Sequence, residues 1–255
     1  MIRFRPFLRL LLSAALLPAA FPGLLAQPAS GPVTLPALDG PTLAAQVRWQ
    51  APTEPFSTAG VLRLRDRNGR WYKELAIRMD IRLGEGGLWE NQYTVFDRER
   101  QVVESLVVRH HPGSTNSYHY LPPGAAKALD LAGPDAFIPF AGSQFWLADF
   151  GLEFLFWPEQ RLVGADMRKG RACHLLESVN PDPRPGQYAI VRSWIDVEKL
   201  GLLRAEAYDE QRRLLKEFNI GGFKKVNGRW QLKSMEIRDE LTDERSRLEF
   251  ELEVD

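Results

Sequence analysis

The chain has 255 residues, with 33 basic and 33 acidic side chains for a formal net charge of zero, and one cysteine, Cys173. A balanced charge excludes the broad basic surface that a nucleic acid requires, and a single thiol excludes an internal disulfide, so a hydrophobic core must hold the fold. The length suits one sizeable domain, and all-β domains of this size are ordinary.

At the N-terminus, Arg3, Arg5 and Arg9 precede an apolar run over 10–21 that is interrupted by Ser13 and Pro18, and small residues follow up to Ala26. This order predicts a secretory signal peptide over 1–26, cleaved near Ala26, and the run is too short for a stable membrane span. Gln27, Pro28 and Ala29 stand where a lipid-anchored protein needs a cysteine, so the expected mature protein is soluble. Loss of the three arginines takes its charge to about −3. Residues 27–41 are rich in Pro, Gly and small side chains and read as a flexible leader to a single domain over 42–255. A short helix is expected over 42–50, stopped by Pro52 and Pro55.

From Thr58 onward the hydrophobic period is two. Leu75, Ile77, Met79, Ile81 and Leu83 alternate with polar or small residues, the pattern of a strand with one buried face. Asn68-Gly69 before it predicts a type I′ hairpin. Turns at 84–87 and 97–101 then lead into strands over 88–97 and 102–109, giving an antiparallel meander. A short strand fits 117–121, Pro122-Pro123-Gly124 breaks it, and 125–131 reads as weakly helical. The segment FAGSQFWLADFGLEFLFW over 140–157 is the most apolar of the domain. Leu147, Phe150 and Phe154 fall at helical spacing, with Ser143 as the expected N-cap. Strands resume after Gly164, over 172–178, 187–196, 202–208, 214–220, 230–239 and 247–254. In the last, Leu248, Phe250, Leu252 and Val254 alternate with glutamates. The whole predicts a curved antiparallel sheet with an apolar helical segment laid against it.

Four features run in a fixed order: Gly142, Ser143 and Phe145 with Asp149 shortly after; Gly170, Cys173 and Leu175; Tyr188, Val191, Trp194, Ile195 and Asp196; and Ala205, Tyr208 and Asp209 followed by a Leu-Leu-Lys strand, then Gly228, Trp230 and Met235. Over roughly 140–250 this resembles the LolA-like superfamily, in particular the outer membrane lipoprotein-sorting proteins. Gln144 and Trp146 stand where members often carry Asp and Ser, which makes the motif more apolar here. The resemblance implies a mainly β fold: an open antiparallel half-barrel with short helices covering the concave face and an apolar cavity for acyl chains. It also implies a periplasmic location.

Little in the sequence points to covalent chemistry. His110 and His111 are adjacent, so on a strand they face opposite ways, and no His-Glu-x-x-His or Cys-x-x-Cys pair accompanies His111 and His119. The histidines read as solvated loop residues and Cys173 as a buried structural thiol, with His174 on the opposite strand face. Gly-Glu-Gly-Gly at 84–87 lacks the Lys-Ser/Thr of a phosphate loop, and Ser143 lacks the Gly-x-Ser-x-Gly elbow. Carboxylates are expected on solvated faces and in turns. No enzyme activity, metal or cofactor is expected. The expected function is that of a soluble periplasmic carrier that binds acyl chains or lipoproteins reversibly in outer-membrane lipoprotein sorting, with a membrane-anchored donor or acceptor as partner. A sensor module of the same fold and a structural envelope protein are the alternatives. Candidate cavity and lid residues are Phe145, Trp146, Phe150, Phe154, Trp157, Ile77, Met79, Ile81 and Trp194, and their aromatic members can equally be core. The 122–158 region is the expected lid.

Overall fold

The computed structural model describes residues 38–226 and 229–251. The expected signal peptide and the leader up to residue 37 lie outside the described residues. So do Leu252, Val254, and Asn227-Gly228 of the second Asn-Gly-Arg-Trp string.

Period-two alternation becomes strand throughout the described domain. A first run contains β1 (Phe56–Arg65), β2 (Trp71–Leu83), β3 (Trp89–Phe96), β4 (Val102–His110), β5 (Ser117–Leu121) and β6 (Leu129–Leu131). The second contains β7 (Glu159–Arg168), β8 (Arg171–Val179), β9 (Ile190–Asp196), β10 (Leu202–Tyr208), β11 (Leu214–Val226), β12 (Arg229–Asp239) and β13 (Arg245–Phe250). Each run is an antiparallel meander, and β1 pairs with β13 to fuse them into one 13-stranded sheet. Its outer strands are β6 and β7, so the sheet is not closed, and the fold is the expected open half-barrel.

This strand order forces the chain to travel from one edge to the other between β6 and β7. Residues 132–158 make that crossing and pack on the concave face, where Leu62, Leu64, Ile77, Val95, Leu106, Val108, Leu248 and Phe250 converge. We call them the plug. Helix α1 (Gly40–Arg48) covers the β7–β8 side, burying Leu43, Ala44 and Val47 against Phe154, Leu155, Trp157 and Leu176. Asp39 caps it by accepting the Thr42 amide at 2.8 Å. The helix therefore starts two residues before the expected 42–50. Its first residue is a glycine because a Cβ there would lie 2.3 Å from the Gln160 carbonyl oxygen.

Three local expectations are corrected. Residues 125–131 are not helical: Leu129–Leu131 forms β6, with Leu131 opposite Tyr118 and the His119 Nδ1 2.7 Å from Asp130 Oδ1 across the pair. The aromatic segment is not one helix but the four-residue α2 (Leu147–Phe150) and a 3-10 turn over Glu153–Phe156. Leu152 breaks the run with φ 49°. The third is the Asn68-Gly69 hairpin, in which only Gly69 has positive φ, at 84°. Asp66 Oδ1 accepts the amides of Asn68 and Arg70 and so selects a type I turn closed by a left-handed glycine.

The same device recurs. Asp97, Asp196, Asp209 and Asp239 each begin a hairpin and accept amides two to four residues on. A left-handed residue follows in each loop: Arg100, Leu200, Arg212 and Asp243. Side chains with a Cβ are strained in that region. Arg212→Gly should therefore raise stability by roughly 0.5 kcal/mol after the glycine's own entropy loss. Gly40→Ala should lower it by about 1–3 kcal/mol through overpacking. Urea unfolding midpoints of the two variants check both signs.

Candidate functional site

The tip of the plug is a tight hairpin. Phe140 N–H donates to the Phe145 carbonyl and Ser143 N–H to the Phe140 carbonyl, both at 2.8 Å, while Ala141 and Gly142 take positive φ. Ser143 Oγ closes this turn by accepting the Phe145 amide at 3.1 Å, so it does not cap a helix. Capping of α2 falls to Asp149, whose Oδ2 accepts the Trp146 amide at 2.7 Å.

Polar side chains from four strands pin the tip. Glu104 of β4, buried beside Leu106, accepts the Ala141 amide at 2.9 Å and the Tyr120 hydroxyl at 2.8 Å. Lys73 of β2 donates to the Ala141 carbonyl. Ser246 of β13 accepts the Gln144 amide, and Lys216 of β11 donates to the Gln144 carbonyl at 2.7 Å. The Lys216 ammonium also sits 3.4 Å from the centroid of the Trp146 ring. Trp146 stacks on Tyr188 at 4.5 Å, and the Tyr188 hydroxyl donates to Asp149. Burial raises the Asp149 pKa, with Lys216 opposing that effect, and burial pulls Lys216 down to about 8.

The far end of the plug is pinned separately. The Tyr118 hydroxyl donates to Glu153 at 2.7 Å and Asn116 Nδ2 to the Gly151 carbonyl at 2.7 Å. A Cβ on Gly151 would lie 2.2 Å from the Tyr118 hydroxyl, which explains the glycine inside the aromatic run. Desolvation raises the Glu153 pKa, and the Tyr118 bond only partly offsets it. Arg48 of α1 donates to the Leu155 carbonyl and lies over the Phe156 ring, 4.9 Å from its centroid. A surface cleft of about 230 Å³ opens here between Arg48, Trp49, Trp89, His110 and Phe156.

Between these anchors the contacts are apolar. Phe150 meets Tyr93, Phe140 and Phe145 at centroid distances of 4.5, 5.2 and 5.6 Å. Of the candidate residues, Phe145, Phe150, Ile77 and Met79 share one buried cluster, and Ile81 packs against it. Phe154 and Trp157 lie in a second cluster under α1, with Trp146 against it. Trp194 is not brought to this face. It packs with Cys173 and Leu203 on the other side of β9 and donates to Asp166. The space left under the plug is small, about 20 Å³ between Asp149, Tyr188, Lys216 and Phe218.

Other placements depart from expectation. His110 and His119 lie in strands β4 and β5 rather than in loops, while His174 lies in β8, in the strand expected there. His110 stacks on Trp89 at 4.6 Å, and burial lowers its pKa to about 4. His111 contacts Ser117 instead of His119, and no cluster of three or more metal-ligating side chains occurs among the described residues. Cys173 is buried, as expected. Glu104 and Glu153 are buried rather than solvated. Glu104 and Lys216 had a legible signal: each is a charged residue in phase with buried apolar neighbours on its strand.

Comparison with known proteins agrees with this geometry. A family model described as "Uncharacterized protein" matches residues 90–254. A DUF1329 family protein from Desulfovibrio piger superposes with a TM-score of 0.68 at 18% identity, covering 83% of this chain and 90% of the other. A putative outer membrane lipoprotein-sorting protein domain from Vibrio parahaemolyticus gives 0.66 at 17% identity over 83% and 89%. A LolA superfamily protein from Nitrosomonas europaea gives 0.59 at 15% identity over 84% and 92%. The chain belongs to the matched family, and its fold is LolA-like. No curated protein matches it in sequence. Among the described residues of this LolA-like chain, no helix is long and apolar enough to cross a membrane.

The buried carboxylates of the plug give a pH signature. A raised folded pKa means that Glu153 contributes fully below the unfolded value of about 4.5, and that contribution is lost as pH rises through the folded value. Glu153→Gln, which keeps an acceptor for Tyr118, should reduce the loss of stability between mildly acidic and neutral pH. Asp149, raised in the same direction, adds to that loss, while His110, lowered by burial to about 4, opposes it in both proteins alike. Urea unfolding across that range checks this, and an unchanged slope in the variant sinks the assignment.

Proposed function

We propose that this chain is a periplasmic carrier that binds an acyl chain or an acylated protein reversibly, in the apolar space now filled by the plug. The observation that carries this reading is the division of labour along the plug. Polar bonds fix its tip, its far end and Asp149, while Phe140, Phe145, Leu147 and Phe150 lay apolar surface on an apolar sheet face. Exchanging that aromatic surface for another apolar body keeps the apolar burial, and the few polar groups that the plug satisfies, Lys216 foremost, then need new partners.

Magnitudes favour a reversible exchange. Burying Phe140, Phe145, Leu147 and Phe150 is worth about 6–12 kcal/mol in total. An acyl chain buried in their place returns about 10 kcal/mol, at roughly 0.8 kcal/mol per methylene. The two nearly cancel, which suits a carrier that must both load and release. The LolA-like fold supports the reading, as does the lipoprotein-sorting description carried by the Vibrio domain. The expected export signal over 1–26 agrees with the location. A donor and an acceptor in the envelope, each anchored in a membrane, complete the scheme.

On this reading the ligand meets Ile77, Met79 and Ile81 of β2, and Phe145, Trp146, Phe150, Phe154 and Trp157 shift with the plug. Trp194, on the other sheet face, takes no part. Native mass spectrometry of the protein purified from a periplasm, followed by organic extraction, should show bound acyl species. Met79→Glu, on the face that the ligand meets, should lose them once circular dichroism shows it folded. A clean apo mass together with no uptake of a pyrene-tagged fatty acid by the wild type overturns the carrier reading.

A further inference from the structure

Lys216 is the most enclosed cation of the plugged face, only 4% exposed and in line along β11 with Phe218 and Ile220. Its surroundings divide into two sets. The plug supplies the Gln144 carbonyl at 2.7 Å, the Trp146 ring at 3.4 Å and the Asp149 carboxylate nearby. The sheet supplies Asp239, directly opposite Lys216 on β12, and Asp239 already spends Oδ1 on the amides of Leu241 and Thr242. Tyr188, beneath Trp146, offers its hydroxyl to Asp149 rather than to the ammonium.

Displacing the plug therefore removes an acceptor, a ring and a carboxylate from one buried ammonium. A desolvated cation that loses its partners is expensive to leave unpaired. A ligand lying along the apolar face restores the balance if it ends in a negative group at this point.

Resting on the carrier reading above, we propose that Lys216 is the headgroup anchor of the cavity and that the preferred ligand is an anionic amphiphile: an acyl chain ending in a carboxylate or phosphate. The small cavity under the plug places this anchor: Lys216 and Asp149 share it with Phe218, Val191 and Ile237, so polar head and apolar tail have adjoining walls. At neutral pH the amine is still mostly charged, because its pKa falls only to about 8.

The test compares pyrene-tagged palmitate with its methyl ester, by fluorescence titration at neutral pH, on the wild type, Lys216→Met and Lys216→Arg. Thermal unfolding confirms that each variant folds. The wild type should bind the carboxylate about tenfold more tightly than the ester, the scale of a hydrogen bond to a charged group. Lys216→Met should bind the two alike, and Lys216→Arg should keep the preference. Equal affinity of the wild type for both probes overturns this inference and leaves the carrier reading standing. A preference that survives in Lys216→Met overturns the assignment to Lys216. Binding of neither probe overturns the inference and, together with a clean apo mass, the carrier reading as well.

Discussion

The arrangement depends on one topological constraint: β6 and β7 are the two edges of the same open sheet, and they are consecutive in the chain. A connection between them must cross a face, and the concave face is the one lined with apolar side chains. Residues 132–158 are therefore under two demands. They must be apolar enough to cover that face, and they must still satisfy their own backbone on the way. A single long helix would meet the second demand but not the first, because it cannot follow a curved wall so closely. The chain instead uses a hairpin, one turn of α-helix and one 3-10 turn, each closed by a nearby side chain.

Those closing groups explain why the charged residues of the interior sit where they do. A net hydrogen bond is worth about 1 kcal/mol, whereas an orphaned buried partner costs about 1–3 kcal/mol. Glu104, Ser246 and Lys216 thus contribute less to holding the plug down than to fixing where it lies. Moving the tip by one residue would take the Ala141 amide from Glu104 and the Gln144 carbonyl from Lys216. The apolar middle, by contrast, fits many nearby positions with little penalty. Position is set by the polar ends and adhesion by the aromatic centre.

Much of this was readable in the sequence. Period-two alternation identified most strands, and β5 and β10 match their expected ranges. The open half-barrel and the covering segment followed from the order of elements and the LolA-like motifs. Motif residues distant in sequence, Asp149, Tyr188 and Lys216, meet in one network around Trp146. The path of the plug was not readable, because helical spacing of Leu147, Phe150 and Phe154 carries no information about Tyr118, the residue that demands Gly151. The Asn68-Gly69 hairpin was misread for a local reason: Asp66, two residues earlier, outweighs Asn-Gly in choosing the loop. Trp194 looked like cavity lining by residue type, but strand phase puts it with Cys173 instead.

Strand phase also separates the solvated charges of this chain from the buried ones that meet the plug. Arg63, Glu74 and Glu249 occupy the outward phase of their strands and pair across neighbours at little net gain. Glu104 and Lys216 occupy the inward phase, where an apolar residue would serve stability better, since a well-packed hydrophobic replacement is often neutral or stabilising. Each of them touches the plug and not only the sheet. A charge in that position keeps its energetic balance only while the plug is seated. If the plug lifts, as the carrier reading requires, Glu104, Ser246 and Lys216 lose together the backbone partners that it supplies, so seating and unseating are opposed states and not a gradual loosening.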